Sequence, residues 1–218
     1  MTARDHASER WPARRFSQAI SEGDGISVIP FVPGGGESLA GLAEAAGAEG
    51  LAVETIEQVA ALRRSTELPL LLHGAVERVE ALREARSAGV DACVFVYEAL
   101  SEEGELLEQL VAEATELGLD WALDVRDEEE LEEALEWLDP DIVVLSERDR
   151  EKDEVELEVT LDLLPDVPAG KLVVSDSKVT TREQVLELER AGVDAVLVPM
   201  LAQDDRFSTA LAQLTGRF

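Results

Sequence analysis

Leu68 to Gly74, LPLLLHG, sets a histidine and a glycine directly after a short apolar run. The run is too short to cross a membrane and reads as a strand buried on both faces, with His73 at its carboxyl end. The chain has only two histidines, and the other, His6, lies in a polar N-terminal stretch. Other reactive side chains also follow apolar runs: Glu54 and Thr55, Tyr97 and Glu98, Asp124 and Arg126, Ser146 and Glu147, then Asp176, Ser177 and Lys178. An imidazole with an unperturbed pKa of about 6.5 beside carboxylates and a lysine is a set suited to moving protons, and the hydroxyls are suited to holding a polar ligand. These donor types would also suit a divalent cation, although no short-range ligand motif supports one. For His73 a plain hydrogen-bonded strand end is the alternative.

Such residues act together only if the strands end in one place. A repeated pattern supplies that arrangement: a helix closes on Gly, an acid follows within two residues, and an apolar strand begins. It occurs at Ala46-Gly47-Ala48-Glu49, Ala88-Gly89-Val90-Asp91 and Ala191-Gly192-Val193-Asp194, with a variant at Leu117-Gly118-Leu119-Asp120. Glycine suits a helix C-cap because it takes the left-handed conformation without strain. Strands are expected at 26–32, 50–54, 68–73, 91–96, 120–125, 141–145, 171–175 and 193–198. Seven helices separate them, and Asp204 to Leu214 supplies an eighth. Alternation with short links predicts one closed (β/α)8 TIM barrel over 26–218, preceded by an N-terminal extension over 1–25 whose Trp11–Ile20 piece packs as a lid or plug. In that barrel the strand ends form a mouth that is polar on strands 2 to 7. Strand 1, with Pro30 and Val32, and strand 8, with Pro199 and Met200, make it apolar.

Composition limits the partners. A net charge of −29 repels nucleic acid and anionic membranes. Of the 19 basic residues only Lys152, Lys171 and Lys178 are lysines, a balance that fits a salt-rich cytoplasm, a thermophile or a GC-rich source. The N-terminus lacks the apolar core of a signal peptide, so a cytoplasmic protein is expected. Cys93 falls inside an apolar strand as a small buried hydrophobe. The run Asp127 to Glu130 opens a helix whose apolar face carries Leu131, Leu135 and Leu138, and reads as a solvated outer face.

The succession FSQAI at Phe16, LPLLLHGAV, SAGVDACVFVYEALSEEGELLEQLVAEATELGLDWALDVRDEEEL, DIVVLSERDR and LVVSDSKVTTREQVLELERAGVDAVLV resembles indole-3-glycerol-phosphate synthase from about residue 16 onward. That family is a (β/α)8 barrel of tryptophan biosynthesis. It closes an indole ring on a carboxyphenylamino deoxyribulose phosphate with loss of carbon dioxide and water. The resemblance places the family's strand 3 lysine acid at His73, its strand 1 glutamate and lysine at Pro30 and Val32, and its strand 5 glutamate at Asp124. The strand 6 asparagine falls at Ser146, and the strand 7 Glu-Ser-Gly becomes Asp176-Ser177-Lys178, with Ser177 alone identical. Asp124 and Asp176 keep a carboxylate but withdraw it by a methylene, while strand 1 loses both charges. At the phosphate site Pro199 has no N–H to donate. Gly34-Gly35-Gly36 forms either an anion nest or a plain turn.

The expectation is a divergent, lyase-like barrel acting on a small anionic, phosphorylated substrate. His73 or Lys178 would be the acid and Asp124 or Asp176 the base, with Glu54, Ser146, Ser177, Gly34 and Gly35 as substrate contacts. No cofactor, metal, nucleic acid or membrane is expected, and the chain is expected to be a monomer or weak homodimer. The alternative is a barrel that has lost catalysis and serves as a ligand-binding or partner subunit.

Overall fold

The structure, a computed structural model, describes residues 15–74, 76–146, 157–199 and 206–217. Eight parallel strands run in chain order: β1 (Ser27–Pro30), β2 (Leu51–Val53), β3 (Leu70–Leu72), β4 (Ala92–Val96), β5 (Asp120–Val125), β6 (Ile142–Ser146), β7 (Leu172–Asp176) and β8 (Ala195–Val198). Each pairs with the next, and β8 pairs with β1 through Ser27 opposite Ala195 and Pro30 opposite Val198. A parallel bridge from Phe31 to Ala52 joins β1 to β2 and closes the ring. The expected barrel is present: β5 matches its apolar run, β6 and β7 lie one residue later than expected at the expected length, and the other strands are one to three residues shorter. Glu147 and Met200, and the expected start of the last helix at Asp204, lie outside the described residues. That helix is described from Arg206 to Thr215.

Two apolar layers hold the barrel. Ile29, Ala52, Leu71, Val94, Ala122, Val144, Val174 and Leu197 point inward and form one buried cluster. Their neighbours of opposite parity, among them Val28, Val53, Leu72, Phe95, Leu123 and Val143, join the larger cluster between strands and helices. The helix Arg15–Ser21 belongs to the inner cluster. Its Phe16 and Ile20 are buried against it, and the Ser17 N–H and Oγ donate to the two oxygens of Asp120 at 2.8 and 2.9 Å. Asp120 begins β5, so this helix plugs the amino-terminal end of the barrel, opposite the mouth. The rest of the expected extension, 1–14, lies outside the described residues.

The recurring acids tie strands together at that same end. Asp91 Oδ2 accepts the Leu70 N–H at the start of β3 (2.9 Å), and Asp194 Oδ2 accepts the Val173 N–H in β7 (2.7 Å). The glycine before each, Gly89 and Gly192, is a left-handed helix C-cap with φ of 105° and 106°. Among the described residues no helix is long and apolar enough to cross a membrane.

Candidate active site at the barrel mouth

Alternation along each strand decides which side chains reach the mouth. Leu71 faces inward on β3, so His73 does as well; the same parity brings Asp124 inward on β5, Ser146 on β6 and Asp176 on β7. Although β3 and β7 lie across the barrel from one another, His73 Nε2 is 3.4 Å from Asp176 Oδ2 and 3.9 Å from Asp124 Oδ2. The His73 side chain is 5% exposed, Asp124 is fully buried and Asp176 is 17% exposed. Ser146 Oγ donates a short hydrogen bond to Asp124 Oδ1 and fixes that carboxylate. Among the described residues His73 Nε2 itself has no hydrogen-bond partner, and it is buried.

The carboxyl end of β3 is held by two backbone features. The His73 N–H donates to the Val53 carbonyl at 2.8 Å, which extends the ladder beyond Leu72. Gly74 then passes so close to β2 that a Cβ would overlap the Glu54 carbonyl oxygen. The required His-Gly pair therefore sets the angle at which the imidazole leaves the strand. Phe31 packs edge-on against the His73 ring, with centroids 5.5 Å apart and planes at 73°.

Phe31 corrects the reading of strand 1. Ile29 and Phe31 share the inward parity, whereas Val32 lies in the outer cluster with Val28. Pro30 shares the outward parity. Strand 1 thus presents an aromatic ring to the mouth in place of Pro30 and Val32. Strict alternation from Ile29 would have found it.

Several other expected site residues turn away. Ser177 is buried outside the strand ring, where its hydroxyl bonds with Ser175 at 2.8 Å and Thr160 at 2.9 Å. Tyr97 and Glu98 belong to a short helix, Tyr97–Leu100, that the sequence reading did not anticipate. The Tyr97 hydroxyl donates to Glu133 Oε2 at 2.7 Å, and burial, then Glu133, push its pKa up to about 12. Glu98 pairs with Arg126, whose backbone N–H donates to Glu130 Oε2 at 2.8 Å; burial raises the Glu130 pKa against that bond. These side chains join β4 and β5 to the helix Glu128–Trp137.

Glu54 is exposed, and its N–H, like that of Thr55, donates to Gln58 Oε1 at 2.8 Å in a capping box. Gly34 and Gly35 form a turn in which the Gly36 N–H donates to the Pro33 carbonyl at 3.0 Å and Gly35 has φ +78°. Lys178 also sits in the left-handed region, with φ +49°, a place that favours the glycine expected from the resemblance. After it, the Thr180 and Thr181 N–H groups both donate to Gln184 Oε1 at 3.0 Å, so this helix end is capped by its own side chains. Among the described residues no group of three His, Cys, Asp or Glu is arranged to hold a metal ion.

A cavity of about 540 Å³ opens beside the cluster. His73 forms one wall, Val94, Phe95, Val96, Leu100 and Leu106 form the apolar lining, and Glu77 and Glu103 stand at the edge. The sequence reading missed this cavity because its lining comes from both faces of β4, from the loop after β3 and from the helical segments after β4.

A closed (β/α)8 barrel with an imidazole between two carboxylates at its carboxyl-terminal mouth defines a class in which acid–base chemistry on small ligands is common. Comparison with known proteins narrows the class. The family model for indole-3-glycerol phosphate synthase matches residues 44–213, and the chain belongs to that family. It is 36% identical over 140 residues to the indole-3-glycerol phosphate synthase of Acidithiobacillus ferrooxidans, covering 64% of this chain and 52% of that one. The Campylobacter fetus enzyme is 29% identical over 144 residues, covering 66% and 55%, and that of Geobacillus is 30% identical over 173 residues, covering 74% and 66%. The chain therefore spans about half the length of the first two relatives. A tryptophan synthase alpha-subunit mutant from Pyrococcus furiosus shares the fold at TM-score 0.70 and 17% identity, over 87% of this chain and 98% of that one. So does the N-acetylmannosamine-6-phosphate 2-epimerase of Clostridium perfringens, at TM-score 0.66 and 17% identity, over 81% and 88%.

Proposed function

We propose that this barrel is an acid–base enzyme of lyase type acting on a small phosphorylated substrate at its carboxyl-terminal mouth. The observation that carries the reading is His73 Nε2: buried, without a hydrogen-bond partner among the described residues, and 3.4 and 3.9 Å from the carboxylates of Asp176 on β7 and Asp124 on β5. An imidazolium so placed donates a proton to a ligand entering between the strands, and Asp176, the more exposed carboxylate, takes a proton from the ligand as base and passes it back to the neutral imidazole. Asp124, immobilised by Ser146, stabilises the imidazolium and fixes its orientation. Lys178 and the turn through Gly34 and Gly35 are the candidates for the anionic end of the substrate. Family membership supplies the reaction class. The ring closure of the relatives is disfavoured, because strand 1 brings Phe31 to the mouth and supplies neither a carboxylate nor a cation.

The test is an assay of the purified protein with the carboxyphenylamino deoxyribulose phosphate, following indole fluorescence, beside the His73→Ala and Asp124→Asn variants. Turnover lost in both variants supports the acid–base reading and restores the family reaction. Turnover unaffected by either substitution rejects the site. Folded protein that binds phosphorylated aryl ligands without any turnover points to the non-catalytic binding subunit.

A further inference from the structure

Asp176 owes its place opposite His73 to more than the sheet. The β7–β8 register ends at Ser175 opposite Val196, after which β8 runs on against β1 as far as Val198. The β6–β7 register ends one residue later, at Asp176 opposite Ser146. The ladder thus supports Asp176 on one side only, and the chain turns soon afterwards at Lys178, with φ +49°. A triangle of buried hydroxyls holds this strand end. Thr160 Oγ1 lies 2.8 Å from Ser175 Oγ and 2.9 Å from Ser177 Oγ, and the two serine hydroxyls are 2.8 Å apart. All three residues are at most 1% exposed. Ser175 and Ser177 flank Asp176 and face outward by parity, so one threonine on the helix Leu157–Leu163 grips the strand on both sides of the carboxylate. Three hydroxyls in a ring can each donate once and accept once, which leaves no hydroxyl proton unmet. The choice of partner is particular to this helix: Ser87 and Thr115 on other helices donate to carbonyls four residues back, at 2.8 Å each, whereas Thr160 turns its hydroxyl to β7.

We infer that Thr160 is a positioning residue for the mouth: through Ser175 and Ser177 it fixes the Asp176 carboxylate at 3.4 Å from His73 Nε2. The inference rests on the proposed function for what the His73–Asp176 pair does, while the anchoring stands on the triangle itself. Without the Thr160 hydroxyl the two serines have only each other, one buried hydroxyl proton loses its acceptor, and the end of β7 shifts to find another.

Two substitutions separate this anchoring from ordinary packing. Thr160→Val keeps the shape of the side chain and removes the hydroxyl; Thr160→Ser keeps the hydroxyl and removes a methyl. The full chain, carrying His6→Gln so that His73 is the only imidazole, is followed by long-range proton–nitrogen correlation NMR at pH 7. Thr160→Val should move the ring nitrogen resonances of His73, and Thr160→Ser should leave them at the parent position although it loses packing. Ser177→Ala removes another corner of the triangle; it should move them as Thr160→Val does, and it decides the matter where that variant does not fold. Val185→Ala opens a cavity on the buried face of the helix after β7 without touching a polar group, and should lower the melting temperature while leaving the His73 resonances in place. Where the preceding assay shows turnover, Thr160→Val should lower kcat roughly tenfold to a hundredfold with KM within about twofold, and Thr160→Ser should restore it. Unmoved His73 resonances in folded Thr160→Val or Ser177→Ala, or a displacement as large as theirs in Thr160→Ser or Val185→Ala, would overturn the inference. A parent without turnover whose His73 resonances still follow the Thr160 hydroxyl counts against the proposed reaction alone.

Discussion

Asp91 and Asp194 occupy equivalent places in the repeat, yet their replacement should have opposite effects. Asp91 is fully buried and pairs with Arg63, whose side chain is 5% exposed. Arg63 also donates from Nε to the Gly89 carbonyl at 2.7 Å and from Nη1 to the Leu68 carbonyl at 2.6 Å. Asp91→Ala removes the buried carboxylate paired with this guanidinium, a loss of about 3 to 5 kcal/mol. It also removes the acceptor of the Leu70 N–H. With a urea slope of roughly 3 kcal/mol/M for a chain of this size, a loss of about 4 kcal/mol lowers the unfolding midpoint by about 1.3 M. Buried charges are little screened, so the shift should persist at high salt.

Asp194 lacks that compensation. Its carboxyl is held above the ordinary range by burial, opposed only by the Val173 N–H. The native state therefore binds this proton more tightly than the unfolded chain does. The resulting penalty is present above the folded pKa and is relieved as pH falls through it. Asp194→Asn keeps an acceptor for Val173 and removes the charge, so its midpoint at pH 7 should equal or exceed that of the parent, with the advantage fading on acidification. Urea titrations of both variants, followed by circular dichroism, decide the matter. An Asp91→Ala shift below about 0.3 M, or an Asp194→Asn loss as large as that of Asp91→Ala, would refute the reasoning.

Three further outcomes are expected. Tyr97 is the only tyrosine, so absorbance at 295 nm reports it alone; the folded protein should titrate near 12, and a midpoint near 10 with secondary structure intact contradicts its burial beside Glu133. Because the neutral phenol is favoured in the fold, its contribution is complete below about pH 10 and is lost as pH rises towards 12; Tyr97→Phe should flatten that alkaline decline. The single cysteine, Cys93, has its thiol pushed up to about 12 by burial, so a disulfide reagent at pH 8 should react only after denaturation. Gly74→Ala should cost about 1 to 3 kcal/mol through its overlap with the Glu54 carbonyl and reduce any activity that depends on the His73 angle, as paired thermal melts and rate measurements would show.

The barrel was legible because its cues are local. Gly89 and Gly192 mark helix ends, the acid two residues later marks a strand start, and the apolar runs mark strands buried on both faces. His73, Asp124, Ser146 and Asp176 could be placed at one mouth from the same cues. Their distances could not, because the approach of His73 to Asp176 spans the barrel and depends on its curvature. Errors arose where parity mattered: counting from Pro30 pointed to the wrong face of β1, and Ser177 next to an inward Asp176 necessarily faced out. The plug posed another kind of problem. Phe16 and Ile20 announce an apolar helical face, but the partner that fixes its location, Asp120, is 103 residues away from Ser17.

β5 carries an acid at each end, Asp120 tied to the plug helix and Asp124 facing the mouth, with Ala122 inward between them. Anchoring and reactivity are thus divided between opposite rims of one strand, separated by a layer of aliphatic side chains. A combinatorial library confined to Phe31, Val96, Ser146 and Asp176 would leave every bottom-rim bond described above untouched. Such a scaffold offers independent control of two traits: new ligands can be selected at one rim while thermal tolerance is adjusted at the other.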